Sequence, residues 1–342
     1  MKQKLVFFLA VYSLTTINSG YGQQNTMQCG TTEKEHQLLQ KNPDWQSHVT
    51  QAEEELEMHT KSHSNNFANQ MATIYVIPMV FHIIHENGSE NIPDAVVHET
   101  MKMINQDFRM DNPDTADVDQ YFKSRIGDAD IDFRLAQLDP NGNPTTGIER
   151  IVSAETNIGD DGSKLNPWPR DKYMNIWVVK NVDGAAAYTY RPPSVMMSSA
   201  AGIDGIIANY SYLGEGERTL THEIGHWLNL YHTWGSGNTP GQTANCNLDD
   251  QVNDTPVTEG TGNGSCDTTQ ITCGSLDNVN NYMDYSSCIA GMFTEGQVGR
   301  IRAAVTSNVA QRNNLWTEAN LIATGLFSAG AEFSTAITEV CV

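Results

Sequence analysis

The segment THEIGHWLNLYH, residues 221–232, constrains the fold of this chain more than any other part of the sequence. Residues i and i+4 lie on one face of a helix, so His222 and His226 point the same way about one turn apart. This spacing suits two imidazole ligands of one zinc ion. Glu223 is placed to take a proton from a water that the metal activates, as peptide hydrolysis requires. The segment therefore predicts a helix with a hydrolytic zinc site, although the bare H-E-x-x-H pattern also recurs by chance on ordinary helices.

A third histidine strengthens the zinc interpretation. His232 lies six residues after His226, too far round a continuing helix to reach the same metal. The helix must therefore end between them, and the chain must turn. After glycine, asparagine best tolerates the left-handed conformation that ends a helix, so Asn229 predicts the turn. The alternative is an ordinary helical asparagine, with His232 on a later turn.

The charge of the chain narrows the class of partner. Its 342 residues include 41 acidic and 20 basic side chains, and the net charge is −21. Such a surface argues against nucleic acid or an anionic membrane as a partner. Acidic side chains also suit calcium, although solubility alone can account for them.

The N-terminus and the cysteines indicate an exported protein. Residues 1–22 combine two lysines, a short apolar core and small residues before the end, the pattern of a secretory signal peptide. The apolar core is too short to span a bilayer, and no later stretch is apolar enough, so we expect no membrane insertion. Four of the six cysteines lie between Cys246 and Cys288 without any C-x-x-C pair, which predicts two disulfides in one of three connectivities.

The remaining patterns predict an α+β fold. Residues 23–71 are polar and indicate a removable or loosely packed leader rather than a folded domain. After them, β-branched and aromatic runs predict strands, and apolar stripes at helical spacing predict helices. The predicted strands lie in IYVIPMVFHII, IDFRLAQLD, MNIWVVK and DGIIANYSYLG, and the predicted helices in DAVVHETMKMINQDFR, RTLTHEIGHWLNLYH and TEGQVGRIRAAVTSNVAQR. Thr294 and Gln297 form a capping-box pattern at the start of the last helix.

Residues 222–232 also match the pattern H-E-x-x-H-x-x-G/N-x-x-H, and here the chain resembles the metzincin zinc peptidases, and among them the pappalysins. NNYMDYSSC, DGIIANYSYLG and NLW are similar to pappalysin sequence as well. The resemblance covers roughly residues 72–325. It implies three zinc ligands, His222, His226 and His232, with Glu223 as general base. It also implies a cleft between an upper subdomain, with a twisted mixed β-sheet and the active-site helix, and a loop-rich lower subdomain.

The same resemblance assigns further site residues. Met283 falls where metzincins carry a methionine in a tight turn beneath the metal, and Tyr285 falls where a tyrosine supports the oxyanion. It further implies a calcium site in CNLDDQVNDTP and disulfides Cys246–Cys273 and Cys266–Cys288. The calcium ligands would be Asp250 and Thr255 with the carbonyl of Val252 or Asn253; a solvated acidic loop is the alternative.

One departure from the family pattern concerns specificity. Relatives that cut before basic residues usually have a longer segment after the methionine, with an Asp just ahead of the last cysteine. This chain has Ser286 and Ser287 there. The preference for Arg or Lys after the cut is therefore not implied for this chain.

Cys29, in MQCGTTEKE, resembles a C-G-T stretch of pappalysin precursors. A leader thiolate can occupy the zinc position that water needs, and we interpret Cys29 as such a cysteine switch. A lipid-attachment cysteine and a disulfide to Cys341 are the alternatives.

Together these patterns predict a secreted, monomeric, latent zinc endopeptidase that acts on proteins or peptides. We expect a catalytic domain at residues 72–325, with residues 326–342 as a short tail or the start of a further module. The rival hypothesis is a zinc-stabilised extracellular binding or adhesion module without turnover, against which Glu223 and Tyr285 argue.

Overall fold

The computed structural model describes residues 29–64, 73–237, 239–289 and 291–327. The predicted signal peptide, the end of the predicted leader, Cys341 and nearly all of the predicted tail lie outside these ranges. None of the helices within them combines the length and apolar character that a membrane crossing needs.

The sheet has six strands and is mainly parallel. Its order is β2-β1-β4-β6-β5, and β3 pairs with β1 beyond the end of β2. All pairs are parallel except β5 with β6. The strands are β1 Tyr75–His85, β2 Ile131–Leu135, β3 Ile148–Val152, β4 Met174–Val179, β5 Ala187–Tyr188 and β6 Ile206–Asn209. A strand buried on both faces is apolar nearly throughout, as β1 is.

Helices cover the sheet and connect it to the lower part of the molecule. They are α1 Thr31–Lys41, α2 Gln46–Ser64, α3 Asp94–Phe108, α4 Thr219–Trp227, α5 Glu295–Thr306 and α6 Glu318–Ala323. The predicted capping box of α5 is present, because Thr294 accepts from the Gln297 backbone and the Gln297 side chain accepts from the Thr294 backbone. A short hairpin, β7 Ile271–Thr272 and β8 Ser275–Leu276, interrupts the long loop between α4 and α5.

Side chains alternate across β1 and join two hydrophobic clusters. Ile77, Met79, Phe81 and Ile83 contact the main cluster, to which α3, α4 and α5 contribute their apolar faces. Ile84 joins a smaller cluster on the opposite face, together with Leu38 of α1. The helix α4 thus packs on one face of the sheet, and α1, which precedes the sheet in the sequence, packs on the opposite face.

Three expectations from the sequence differ from the structure. Residues 31–64, which composition marked as loosely packed, form two helices, and Ala52 and Leu56 of α2 are buried in the main cluster. The segment GIIANYSYLG contains β6, which lies inside the sheet, and the edge strand beside it is β5, which the sequence did not predict. A strand of two residues in an alanine-rich loop has no periodicity to read, which is why β5 was missed. The strand β3 was also missed, because none of its five residues is fully buried and it shows no apolar face.

Candidate active site

The helix α4 brings the first two histidines to one point, and the chain beyond it brings the third. His226 Nε2 lies 3.1 Å from His222 Nε2 and 3.1 Å from His232 Nε2. All three residues are buried. The three ring nitrogens therefore converge, as ligands of a single ion do.

Backbone carbonyls fix the orientation of two of these rings. His222 Nδ1 donates to the Tyr282 carbonyl at 2.6 Å, and His226 Nδ1 donates to the Leu230 carbonyl at 2.8 Å. With the proton on Nδ1, each Nε2 carries a lone pair toward the cluster. Burial lowers the pKa of His222 to about 4, and it lowers the pKa of His226 and of His232 well below the usual range.

These residues fit a divalent metal ion. Neutral imidazoles whose lone pairs face one another at hydrogen-bond distance repel unless a cation lies between them. The Cys29 Sγ belongs to the same group, in which all candidate ligand atoms lie within 4.8 Å of one another. Three nitrogens and one sulfur are a donor set that zinc prefers.

The turn after α4 follows the sequence expectation. Asn229 has φ 74°, in the left-handed region, and its position lets the Leu230 N–H donate back to the Gly225 carbonyl at 2.9 Å. Arg300 of α5 donates from Nε to the Asn229 carbonyl at 2.7 Å. The reversal that brings His232 to the cluster is thus held from the neighbouring helix.

Glu223 is fully buried beside the cluster and contacts the segment before α1. Its Oε2 accepts a hydrogen bond from the Thr31 hydroxyl at 2.9 Å. Burial raises the pKa of Glu223 to about 7. Burial, and then the nearby Glu223 charge, raise the pKa of the Cys29 thiol. Thr31 was not singled out from the sequence, although it belongs to the quoted C-G-T stretch.

Tyr285 lies over the histidine cluster. Its ring is 5.6 Å from the His222 ring and 5.0 Å from the His232 ring, measured between centroids. The hydroxyl donates to the Cys29 carbonyl at 3.1 Å, so it points at the backbone beside the candidate ligand atoms. A phenol in this place can donate a hydrogen bond to a carbonyl oxygen held near the metal.

Met283 lies directly beneath α4, and a glycine makes room for it. A Cβ atom added at Gly225 would be 2.5 Å from the Met283 sulfur. Met283 is fully buried. The sequence did not identify Gly225 as a site residue. Its close contact with Met283 joins two distant parts of the chain and leaves no local pattern.

A cavity of about 280 Å³ lies next to Glu223, and Cys29 contributes to its lining. Ser286 and Ser287 form part of its wall. Arg218 lies on the same wall and pairs with Asp107. The wall of this cavity therefore carries two serine hydroxyls and a guanidinium that is already paired with a carboxylate.

Two disulfides link the long loop to the methionine turn. The bonded pairs are Cys246–Cys273 and Cys266–Cys288. Cys29 is a free thiol among the described cysteines. The pairs are those that the resemblance implied.

Three of the four candidate calcium ligands lie close together. The Thr255 hydroxyl lies 2.7 and 2.8 Å from the two carboxylate oxygens of Asp250 and 2.7 Å from the Val252 carbonyl. Burial raises the pKa of Asp250 to about 7. Asn253 is exposed beside this group.

Comparisons with known proteins extend these observations. The family model described as pregnancy-associated plasma protein-A matches residues 157–306. An extracellular metalloprotease of Arthroderma gypseum is 26% identical over 254 residues, which cover 70% of this chain and 75% of that protein. A promirolysin variant of Tannerella forsythia matches with a TM-score of 0.71 at 29% identity, covering 86% of this chain and 98% of that one.

Mature mirolysin of Tannerella forsythia, solved in complex with a cleaved peptide, matches with a TM-score of 0.64 at 31% identity. The match covers 74% of this chain and 98% of the mirolysin chain. The family model spans both α4 and the methionine turn, so it includes the histidine cluster described above. This chain therefore belongs to the pappalysin family of metzincin zinc metallopeptidases and is a metalloendopeptidase.

Proposed function

We propose that this chain is the secreted, latent precursor of a zinc endopeptidase, with Cys29 as the residue that blocks the metal. The position of the Cys29 sulfur among the three histidine nitrogens is the observation that carries the proposal. A thiolate there takes the place at the metal that water or substrate needs.

His222, His226 and His232 would hold the zinc ion through Nε2. When bound, zinc polarises the scissile carbonyl and lowers the pKa of water. Glu223, one residue after the first ligand on the same helix, takes the proton of the attacking water and delivers it to the leaving amine. The Tyr285 hydroxyl now donates to the Cys29 carbonyl; a substrate carbonyl in that place would receive the same hydrogen bond and gain charge stabilisation.

The segment from Cys29 to Thr31 also covers the edge of the sheet. The Gly30 N–H donates to the Ala187 carbonyl at 2.9 Å, and the Thr189 N–H donates to the Thr31 hydroxyl at 3.0 Å. These are backbone groups of and beside β5 that an extended substrate would pair with by strand addition. The same hydroxyl donates to Glu223, so the leader engages the metal site, the general base and the substrate edge together.

Removal of the leader requires a cut in the chain and separation of α1 and α2. Lys34 pairs with Asp183 at 2.8 Å, and Glu57 of α2 pairs with Arg300 at 2.7 Å. No Arg precedes Arg109 in the sequence, and Lys61 is the last Lys before the catalytic domain. If the enzyme cuts before basic residues, it can therefore remove its own leader only by a cut before Lys, and otherwise another protease is needed. The proposed boundary at residue 71 lies outside the described residues.

We propose calcium at Asp250, Val252 and Thr255, with the Asn253 carbonyl as a further ligand. The buried Asp250 carboxylate, the Thr255 hydroxyl and the Val252 carbonyl are hard oxygen ligands gathered within hydrogen-bond distance. Calcium should raise the melting temperature of wild-type protein, and it should have little effect on Asp250→Asn. An equal rise in both proteins would remove this assignment.

The other parts of the proposal rest on the sequence and the relatives. The N-terminal pattern of a signal peptide and the relatives named extracellular metalloproteases support secretion. We propose a monomer that cuts proteins or peptides, with the pocket at Ser286 and Ser287 receiving the residue after the cut.

The decisive experiment uses the full chain with zinc and calcium. Wild-type precursor, Cys29→Ser and the matched control Met58→Ser, which removes an exposed sulfur of the leader, are incubated with a denatured protein mixture. New N-termini are mapped by mass spectrometry. We expect Cys29→Ser to cut without processing, at a rate below that of the processed enzyme because the leader still covers the substrate edge. We expect wild type and Met58→Ser to cut only after an external protease removes the leader.

Glu223→Ala and a chelator should abolish the cuts in every sample. If processed wild type makes no cut beyond those of Glu223→Ala, the enzyme proposal is wrong and the binding module remains. If Cys29→Ser is as silent as the wild-type precursor while processed protein cuts, the switch is wrong and the peptidase stands.

A further inference from the structure

A carboxylate of the leader is held in a buried cradle made by the catalytic domain. Glu35 Oε1 accepts from the Arg191 N–H at 2.8 Å and from the Ser194 hydroxyl at 2.8 Å. Glu35 Oε2 accepts from Arg191 Nε at 3.1 Å. All three residues are less than a tenth exposed. Three donors from the catalytic domain therefore converge on one carboxylate.

The cradle lies in the cleft, beside the histidine cluster. It lines a cavity of about 240 Å³ with His226, His232 and Tyr231. The cavity with Ser286 and Ser287 is lined instead by His222 and Glu223, on the other side of the cluster. If that second cavity receives the residue after the cut, the cradle faces residues before the cut.

The groups that form the cradle all come from the catalytic domain. The Tyr231 ring lies 4.1 Å from the Arg191 guanidinium carbon and supports it from one side. Ser194 and the Arg191 backbone belong to the segment directly after β5. None of these groups is contributed by residues 29–64.

Loss of the leader would leave the Arg191 charge without an acid. Within the described residues its two ion pairs are with Glu35 and Glu53, both in the leader. Arg191 Nη1 is buried and has no hydrogen-bond partner there either. A guanidinium in a half-closed cleft without a counter-charge favours any carboxylate that reaches it.

We propose that Arg191 and Ser194 form a substrate subsite for the carboxylate side chain of Asp or Glu, and that Glu35 fills this subsite in the precursor. The proposal rests on the proposed function as a latent peptidase. It assigns a preference for acidic residues on the side of the cut opposite to the Ser286 and Ser287 pocket.

The backbone gives the approximate position of the acidic residue. The Ala187 carbonyl accepts from Gly30, next to the candidate ligand Cys29, and Arg191 lies four residues further along the same segment. At roughly 3.3 Å per residue this is about 13 Å of extended chain. An acidic side chain two to four residues before the cut would therefore reach the cradle.

The test compares fluorogenic peptides that are identical except for Glu or Gln at one position, two, three or four residues before the cut. Each is cleaved by enzyme processed from the full precursor, and the ratio of kcat/KM for the Glu peptide to the Gln peptide is measured. We expect a ratio of about 10 at one of these positions, the size of a hydrogen bond to a charged group. Because both rates come from one protein, the ratio cancels general losses of activity.

Arg191→Gln should bring the ratio to about 1, and Ser194→Ala, which keeps the charge, should give an intermediate value. Arg150→Gln, which removes an arginine paired with Asp94 outside the cleft, should leave the ratio unchanged. A ratio near 1 at all three positions in wild type would overturn the subsite even though the peptides are cleaved. A ratio that survives both Arg191→Gln and Ser194→Ala would do so too.

Failure of the peptidase proposal would look different, since no peptide would be cleaved at all. The subsite is then decided by binding of a labelled peptide of residues 28–41 to the processed protein. Peptide with Glu35 should bind about tenfold tighter than peptide with Gln at that position, and Arg191→Gln should remove the difference. Equal binding of the two peptides would overturn the subsite.

Discussion

A buried ion pair beneath the active-site helix offers the sharpest test of the energetics. Arg312 donates from Nη1 and Nη2 to the two carboxylate oxygens of Asp204 at 2.8 and 2.7 Å. The Trp227 indole, on the last residue of α4, donates to the same carboxylate at 2.8 Å. Both charged side chains are fully buried. The pair therefore joins the segment before β6, the chain after α5 and the helix that carries His222 and His226.

Replacing Asp204 by Asn keeps the shape and an acceptor for Trp227 but removes the negative charge. Arg312 would remain buried and uncompensated, with the Arg170 guanidinium also nearby, 3.8 Å from the Asp204 carboxylate in the wild type. Breaking such a pair costs about 3–5 kcal/mol. For a chain of this size, the melting temperature should fall by roughly 4–8 °C.

The assay is a double-mutant cycle measured by chemical unfolding of the full chain. Asp204→Asn, Arg312→Met and the double variant are compared with wild type at one pH. We expect the double variant to lose about 2 kcal/mol less than the sum of the single variants, because it leaves no lone buried charge. Additive losses, or a loss below about 1 kcal/mol for Asp204→Asn, would refute the reasoning.

Three further predictions concern the base of the site, the sheet and the metal. Gly225→Ala should destabilise the protein by about 1–3 kcal/mol in chemical unfolding despite the better helix propensity of Ala, because the new methyl group meets the Met283 sulfur; a gain in stability would contradict this. Hydrogen bonding from His82 lowers the pKa of Glu149, so its stabilisation is present above the ordinary carboxyl pKa and is lost as pH falls through the lowered value. Glu149→Gln should therefore lower the melting temperature more at about pH 6 than at about pH 3, and an equal loss at both would count against it. Chelation of the metal should lower the melting temperature of wild type, and unchanged melting would argue against the three-histidine site.

The parts of the site that were predictable are those encoded by local periodicity. Two histidines four residues apart share a helix face in any α-helix, and Asn229 marks the helix end because few residues adopt its conformation. The capping box of α5 is local in the same way. These signals survive in any tertiary context, so they could be read from the sequence.

The parts that could not be predicted depend on long-range pairing. The edge strand β5 has only two residues, and its strand conformation depends on antiparallel pairing with β6, which no local pattern reveals. The contact between Glu35 and Arg191 joins residues 156 positions apart. The helices α1 and α2 were not predicted, because their composition is polar. Their few buried residues pack on residues that come much later in the sequence.

The two disulfides overlap along the chain, with Cys266 inside the span of the first and Cys273 inside the span of the second. A peptide bond cut anywhere between Cys246 and Cys288 is therefore bridged by at least one of them. The pieces stay covalently joined, and the loop remains attached to the turn that holds Met283. A protease at high concentration cuts its own exposed loops, and in this region such a nick would leave the molecule in one piece. Nicked material should accordingly migrate as full-length chain until a reductant is added.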